Sequence, residues 1–343
     1  MKIRALVAAL LFGVAGIVHA EEKVVVYNWA EYIPEGILDD FTKETGIKVD
    51  YSTYENNEVM YSKLKIQKGK GYDVVVPSTY LASKMRDEGL LQKIDHAKLT
   101  NFKNLMPELL DKPYDPGNQY SIPYLWGTTG IGVNSAEIDP ATITGWADLW
   151  DAKWKGKLML VDDVREVFAM ALKKNGFSAN STNPDELKKA YEDLQKLMPN
   201  VRVFNADAPR EPFLAGDVNL GMIWSGEANM AQKEDENIKY IYPKEGAGFW
   251  VDSFTIPSGA ENVENAHKFI DYMLKAEVGQ KVVEDLGYST PNKAAKDLLD
   301  EATRNNTIIF PPADAMAKAE FQQDIGDAVK IYDSYWEKLK TGK

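Results

Sequence analysis

Five apolar runs in this 343-residue chain each end in an aromatic residue, a carboxylate, or both. They occupy residues 24–32, 72–80, 157–166, 218–227 and 248–254. A short β-branched run closed by a turn residue is a strand signal, and in α/β sheets ligands sit beyond the carboxyl ends of the strands. Trp29, Glu31, Tyr32, Tyr80, Asp163, Glu166, Trp224, Trp250 and Asp252 are therefore expected to gather at one cleft. Flat apolar faces beside several carboxylates, with few basic residues nearby, suit an elongated organic cation.

Each segment also has a plainer reading. Trp29-Ala30-Glu31-Tyr32 follows a strand and precedes Pro34; Trp29 fits a core position as well as a slot, and Glu31 fits solvent as well as an ammonium. Asp163 and Glu166 are three apart and share a helix face, but an Asp followed by Glu at this spacing is also a helix cap. Trp250 and Asp252 alternate, so in a strand they point to one side. A buried Asp beside Trp is costly unless partnered. Trp224 ends an apolar strand and reads as core or as cleft wall.

Alternating strand and helix patterns must position these residues. Residues 24–29, 48–54, 72–76, 157–161 and 218–224 read as strands. Residues 34–45, 57–68, 146–150, 165–175 and 184–197 read as helices, and 262–340 is mainly helical. The βαβ rhythm implies parallel sheet with helical crossovers. Residues 124–134 and 247–256 are extended and able to carry the chain between two lobes.

Residues 1–20 carry Lys2 and Arg4, then an apolar run, then Val18-His19-Ala20, the pattern of a secretory signal peptide cleaved after Ala20. The rest, 323 residues without cysteine, is expected to be soluble and exported and large enough for two domains. The formal charge is −12, becoming −14 once Lys2 and Arg4 are lost. That balance argues against nucleic acid as a partner. His96 and His267 lie in polar, helix-like settings and read as solvated surface residues, so a histidine metal site or Ser–His triad is not expected. The sequence has no phosphate-binding loop, dinucleotide fingerprint or nucleophile elbow; no cofactor or metal is expected.

Eight motifs then match one family in order: WAEY at 29–32, YSTYE at 51–55, PSTY at 77–80, IPYLWG at 122–127, DDVRE at 162–166, GMIW at 221–224, FWVD at 249–252 and GYSTPN at 287–292. Together they resemble the periplasmic polyamine-binding proteins of ABC transporters, in particular the spermidine-preferring (PotD) type. The resemblance implies a type II two-lobed α/β fold with discontinuous domains, a hinge and an inter-lobe ligand cleft. One lobe would hold residues 21–128 and 251–296, the other 134–245 and 302–343, with crossings near 129–133, 246–250 and 297–301. It implies ligand contacts at Trp29, Glu31, Tyr32, Ser78, Tyr80, Asp163, Glu166, Trp224, Trp250, Asp252, Tyr288 and Gln322. The implied ligand is spermidine, favoured over putrescine, and the implied partner is an inner-membrane ABC permease complex; the protein itself is expected to be a periplasmic monomer. Two residues depart from the family pattern: Ala30 replaces a frequent Thr or Ser, and Phe321 replaces a frequent Trp.

The expected function is binding without catalysis. A glycosidase would use Asp163 and Glu166 as its carboxyl pair, but no activated group accompanies them. A sugar- or peptide-binding protein suits the aromatic faces but not so many acids, and a polyamine sensor would share the same contacts. With no histidine among the contacts, the sequence predicts weak pH dependence between roughly pH 5 and 8.

Overall fold

The computed structural model describes residues 22–342; the leader read at residues 1–20 lies outside them. The chain opens with three βα units: β1 (Lys23–Trp29), α1 (Ile37–Thr45), β2 (Lys48–Tyr54), α2 (Asn57–Ile66), β3 (Val74–Val75) and α3 (Thr79–Asp87). These make a parallel sheet in the order β2-β1-β3. Asn56 caps α2 by accepting from the Val59 amide at 2.9 Å. Gly46 ends α1 at φ 74°, where glycine adopts the left-handed geometry without penalty.

β4 (Ile122–Asn134) then passes from the first half of the molecule to the second. Its residues 122–129 pair antiparallel with β9 (Gly248–Phe254), and residues 129–133 pair antiparallel with β7 (Leu220–Trp224). The change of partner falls at Thr129. The second half holds β5 (Leu158–Leu160), α4 (Val164–Lys174), α5 (Pro184–Leu197), β6 (Val201–Phe204), α6 (Glu211–Leu214), β7, α7 (Ser225–Glu234) and β8 (Ile238–Ile241). β5 lies parallel to both β6 and β7, and β8 pairs with β4. Returning through β9, the chain meets β3 through antiparallel bridges Val75–Thr255 and Ser78–Asp252.

The C-terminal part is α8 (Val263–Met273), α9 (Ala276–Leu286), α10 (Lys293–Leu298), α11 (Glu301–Arg304), α12 (Ala313–Met316), β10 (Glu320–Phe321) and α13 (Val329–Thr341). α8 packs on β1, whereas α13 packs on α4 and α5. The region 306–310 touches both halves: Ile309 buries against Val283 and Leu299, and Ile308 against Met159 and Phe213.

Each half has its own core. Val24, Val26, Phe41, Phe254 and Phe269 anchor the first; Leu158, Leu160, Phe168, Leu194 and Tyr332 anchor the second. Trp224 packs against both. The larger sheet is mixed rather than parallel, because the two crossing strands β4 and β9 run against each other. Residues 146–150 form a short 3₁₀ turn, with the Glu245 carboxylate accepting from the Trp146 amide at 2.9 Å.

His267 corrects an expectation. It is 2% exposed, donates from Nδ1 to the Val263 carbonyl at 2.8 Å, and accepts at Nε2 from the Asp95 amide at 2.9 Å. Both ring nitrogens are used to tie α8 to the loop at Asp95. His96 is half-buried over Phe102 and donates to the Asn118 carbonyl at 2.7 Å.

Candidate ligand-binding site

Strand ends from both halves meet at one cavity. Trp29 closes β1, Ser78 follows β3, Asp163 follows β5 and Trp224 closes β7, as the position of ligands in α/β folds requires. Trp250 and Asp252 come instead from the middle of β9, where alternation turns both inward.

Asp252 is the most fully built of these groups. Tyr32 donates its hydroxyl to one carboxylate oxygen at 2.7 Å, and Ser78 donates to the other at 2.6 Å. Asn57 fixes Ser78 in that role. Its side-chain amide donates to Ser78 Oγ at 3.0 Å and its carbonyl accepts from the Ser78 amide at 3.2 Å. On the opposite wall Asp163 caps α4, accepting from the Glu166 amide at 3.0 Å. The cap and cavity readings of Asp163 therefore hold together. The Glu166 carboxylate does not turn back to complete a capping box; it accepts from Gln322 Nε2 at 3.0 Å. β10 brings Gln322 there by pairing with β9.

Aromatic rings surround these acids. Trp29 lies 6.4 Å from Trp224, and its indole donates to the Val76 carbonyl at 2.9 Å. Tyr288 stands edge-on to Tyr32 at 5.3 Å and to Trp250 at 5.4 Å. Gly127 makes room for the Trp250 ring: a Cβ there would lie 2.6 Å from Trp250 Cζ2 and 2.8 Å from Ser225 Oγ. Gly127→Ala is expected to push the indole into the cavity. A ligand titration should show weaker binding, and unfolding a stability lower by about 1–3 kcal/mol, the usual cost of overpacking, with the circular dichroism of the folded protein unchanged.

Burial raises the acids. It pushes the Asp252 carboxyl up to about 7 despite its two hydroxyl donors. Glu166 rises to about 8 through burial and then through the nearby Asp163 charge. Burial also raises Asp163, against the amides of α4 that favour its charge. These three acids accept hydrogen bonds from neutral groups, and a cation brought among them would favour their charged forms.

Ten of the twelve expected contact residues line the cavity: Trp29, Tyr32, Ser78, Asp163, Glu166, Trp224, Trp250, Asp252, Tyr288 and Gln322. Glu31 and Tyr80 do not. The Glu31 carboxylate is in an ion pair with Arg210, so basic residues are closer to the acids than the sequence suggested. Tyr80 is turned behind the wall; its hydroxyl donates to Glu58 at 3.1 Å and its ring lies 4.7 Å from the Arg165 guanidinium. Sequence reasoning missed Asn57, Ala206, Asp207 and Glu227 as lining residues. Glu227 ends the run 218–227 and obeys the same strand-end rule as the others. Ala206 and Asp207 follow β6, whose residues are only half-buried or exposed, so no apolar run announces them. The departures fall differently: Ala30 lines the cavity, while Phe321 packs on Phe249 at 4.8 Å, outside it.

Among the described residues, the lining contains no histidine, cysteine or lysine. Among the described residues, no three His, Cys, Asp or Glu side chains form a group that would hold a metal ion. No helix there is long and apolar enough to cross a membrane.

Residues 36–311 match the profile of the bacterial extracellular solute-binding proteins. The chain belongs to that family. It is 53% identical over 337 residues to a spermidine/putrescine-binding periplasmic protein of Salmonella typhimurium, covering 98% of this chain and 97% of the relative. The protein of the same description from Escherichia coli is 52% identical over the same shares. Among solved structures, a putative spermidine/putrescine ABC transporter protein from Listeria monocytogenes superposes with a TM-score of 0.90. It is 36% identical and covers 94% of this chain and 100% of its own. The resemblance carried by the eight motifs and the two-lobed solute-binding fold are thereby borne out. The curated relatives are named for spermidine/putrescine binding, and the solved structure as an ABC transporter protein.

Proposed function

We propose that this protein captures a polyamine in the inter-lobe cleft, spermidine ahead of putrescine, and delivers it to an inner-membrane ABC permease. One observation carries the reading: Asp163, Glu166 and Asp252 are buried in an aromatic cavity and, among the described residues, no cationic side chain bonds them. Three such acids match the three nitrogens of spermidine; putrescine has two. The names of the close relatives support the same ligand class. In this reading the mature protein works in the periplasm as a monomer. The ten lining residues named above contact the ligand, and Tyr80 supports Arg165 behind them.

The energetics suffice. An opposite-charge pair at 4 Å is worth on the order of 4 kcal/mol at an effective dielectric of 20, before desolvation. Each cation–ring contact adds about 0.5–2 kcal/mol. A micromolar complex needs only about 8 kcal/mol in all. Closing the lobes over the ligand would complete these contacts and present both lobe surfaces to the permease.

Calorimetry on refolded, ligand-free protein tests the reading. One-to-one spermidine binding is expected. Putrescine should bind about tenfold weaker or more, for want of one charged hydrogen bond, and a neutral disaccharide should not bind. Folded protein that takes up neither amine would sink the proposal. Unchanged polyamine uptake in cells lacking the protein would sink delivery while leaving capture intact.

A further inference from the structure

Arg210 places a resident cation at one end of the cleft. Its Nη1 donates to Glu31 Oε2 at 2.5 Å and to both carboxylate oxygens of Glu227 at 3.1 Å. Glu31 follows β1 in the first lobe, whereas Arg210 precedes α6 and Glu227 lies in the first turn of α7. The triad therefore spans the cleft. Glu227 lines the cavity, and Arg210 stands behind it. Tyr288 packs on Gly226, next to Glu227, and its other neighbours Tyr32 and Trp250 flank Asp252. Its ring thus stands between the triad and the deeper acids.

The two groups of acids are not equivalent. Asp163, Glu166 and Asp252 accept from backbone amide, amide side chain and hydroxyls. The other basic residue nearby, Arg165, is turned onto the Gln323 carbonyl and Asn180. Glu31 and Glu227 already hold a charge of fixed sign, since a guanidinium does not release its proton in proteins. Glu211 and Glu234 also lie 3.7 and 3.8 Å from the guanidinium, so the cluster stays net negative, and an ammonium arriving at the same oxygens would have to displace the guanidinium that already bonds them. Glu31 presents its carboxylate from a backbone at φ 48°, a region sparsely used by non-glycine residues.

We propose that Arg210 sets the length of polyamine the cleft accepts. Its guanidinium takes the place that a further ligand ammonium would fill between Glu31 and Glu227. The site then holds three nitrogens and turns away a linear tetraamine. This inference rests on the polyamine reading above and adds a specificity residue to it.

The test compares spermidine with spermine, which adds one aminopropyl unit, by calorimetry at one pH and ionic strength. The wild type is expected to favour spermidine. In Arg210→Ala and Arg210→Gln the spermine-to-spermidine affinity ratio should rise about tenfold or more, as two carboxylates become free for a charge-assisted bond. Arg210→Lys keeps a cation there and should keep the wild-type ratio. If Arg210 were only structural, both ligands would weaken together and the ratio would stay put, which would overturn the proposal. Should the alanine variant fail to fold, the glutamine variant decides. Spermidine binding with an unmoved ratio refutes the role of Arg210 alone; wild-type protein that binds neither amine refutes the polyamine reading as well.

Discussion

Asp252→Asn leaves the protein folded and weakens spermidine binding by about 2–5 kcal/mol, the range for removing one partner of a buried charge pair. The geometry explains both halves of this expectation. Tyr32 and Ser78 hold the carboxylate from either side at 2.7 and 2.6 Å. A hydroxyl both donates and accepts, so an Asn side chain can accept from one and donate to the other without leaving a buried group unpaired. The fold keeps its contacts while the cleft loses a charge. The variant should also gain stability in the absence of ligand. The Asp252 carboxyl is raised to about 7 by burial, above the unfolded value of about 3.9. Between those pH values the folded protein holds a proton that the unfolded chain has released. Stability fully present below about pH 4 is therefore lost as pH rises to about 7, and Asn at this position does not suffer that loss. Thermal unfolding of ligand-free protein at pH 5 and pH 8 should show the variant above the wild type at pH 8, with the gap narrowing at pH 5. A variant that binds spermidine normally, or one less stable than wild type at pH 8, would show that Asp252 is not the buried, uncompensated acid described here.

Much of this site was legible because the strand ends obey a local rule. An apolar run stops where the chain leaves the sheet, so Trp29, Asp163 and Trp224 could be placed from spacing, and Trp250 and Asp252 from alternation. Gln322 and Tyr288 stand outside those runs and were found only through the family resemblance. What was not legible depends on distant pairing. Arg210 lies 179 residues from Glu31, and nothing local to either marks the ion pair that draws Glu31 out of the cavity wall. Tyr80 occupies the first turn of α3, a position that does not say whether its ring faces the cavity or Arg165. His267 sits in a polar stretch of α8, yet Asp95, brought close only by the fold, completes its hydrogen bonds. The antiparallel pairing of β4 with β9 has the same origin. Both segments read as extended, but their mutual direction follows from the path of the whole chain.

The affinity for spermidine should rise steeply with pH, against the weak dependence that the lack of histidine suggested. Glu166 is raised to about 8, Asp252 to about 7, and burial raises Asp163 as well. In the ligand-free protein near neutral pH these carboxyls keep part of their protons because burial disfavours the charged form. An arriving ammonium favours the ionised form instead, so binding expels protons. The sign follows from linkage: where the free protein holds more protons than the complex, affinity increases with pH. The rise should cover roughly pH 5.5 to 8 and amount to a hundredfold or more if two carboxyls release fully on binding. Above pH 8 it should level off, and then fall as the ligand amines, with values near those of lysine at about 10.4, lose their charge. Calorimetry at pH 7 in two buffers of different ionisation enthalpy measures the released protons directly. Glu166→Gln should lower that number and flatten the profile as well as weakening binding. An affinity constant from pH 5.5 to 8, with heats independent of buffer, would mean that the acids are already ionised before the ligand arrives, as they would be in a cleft open to water.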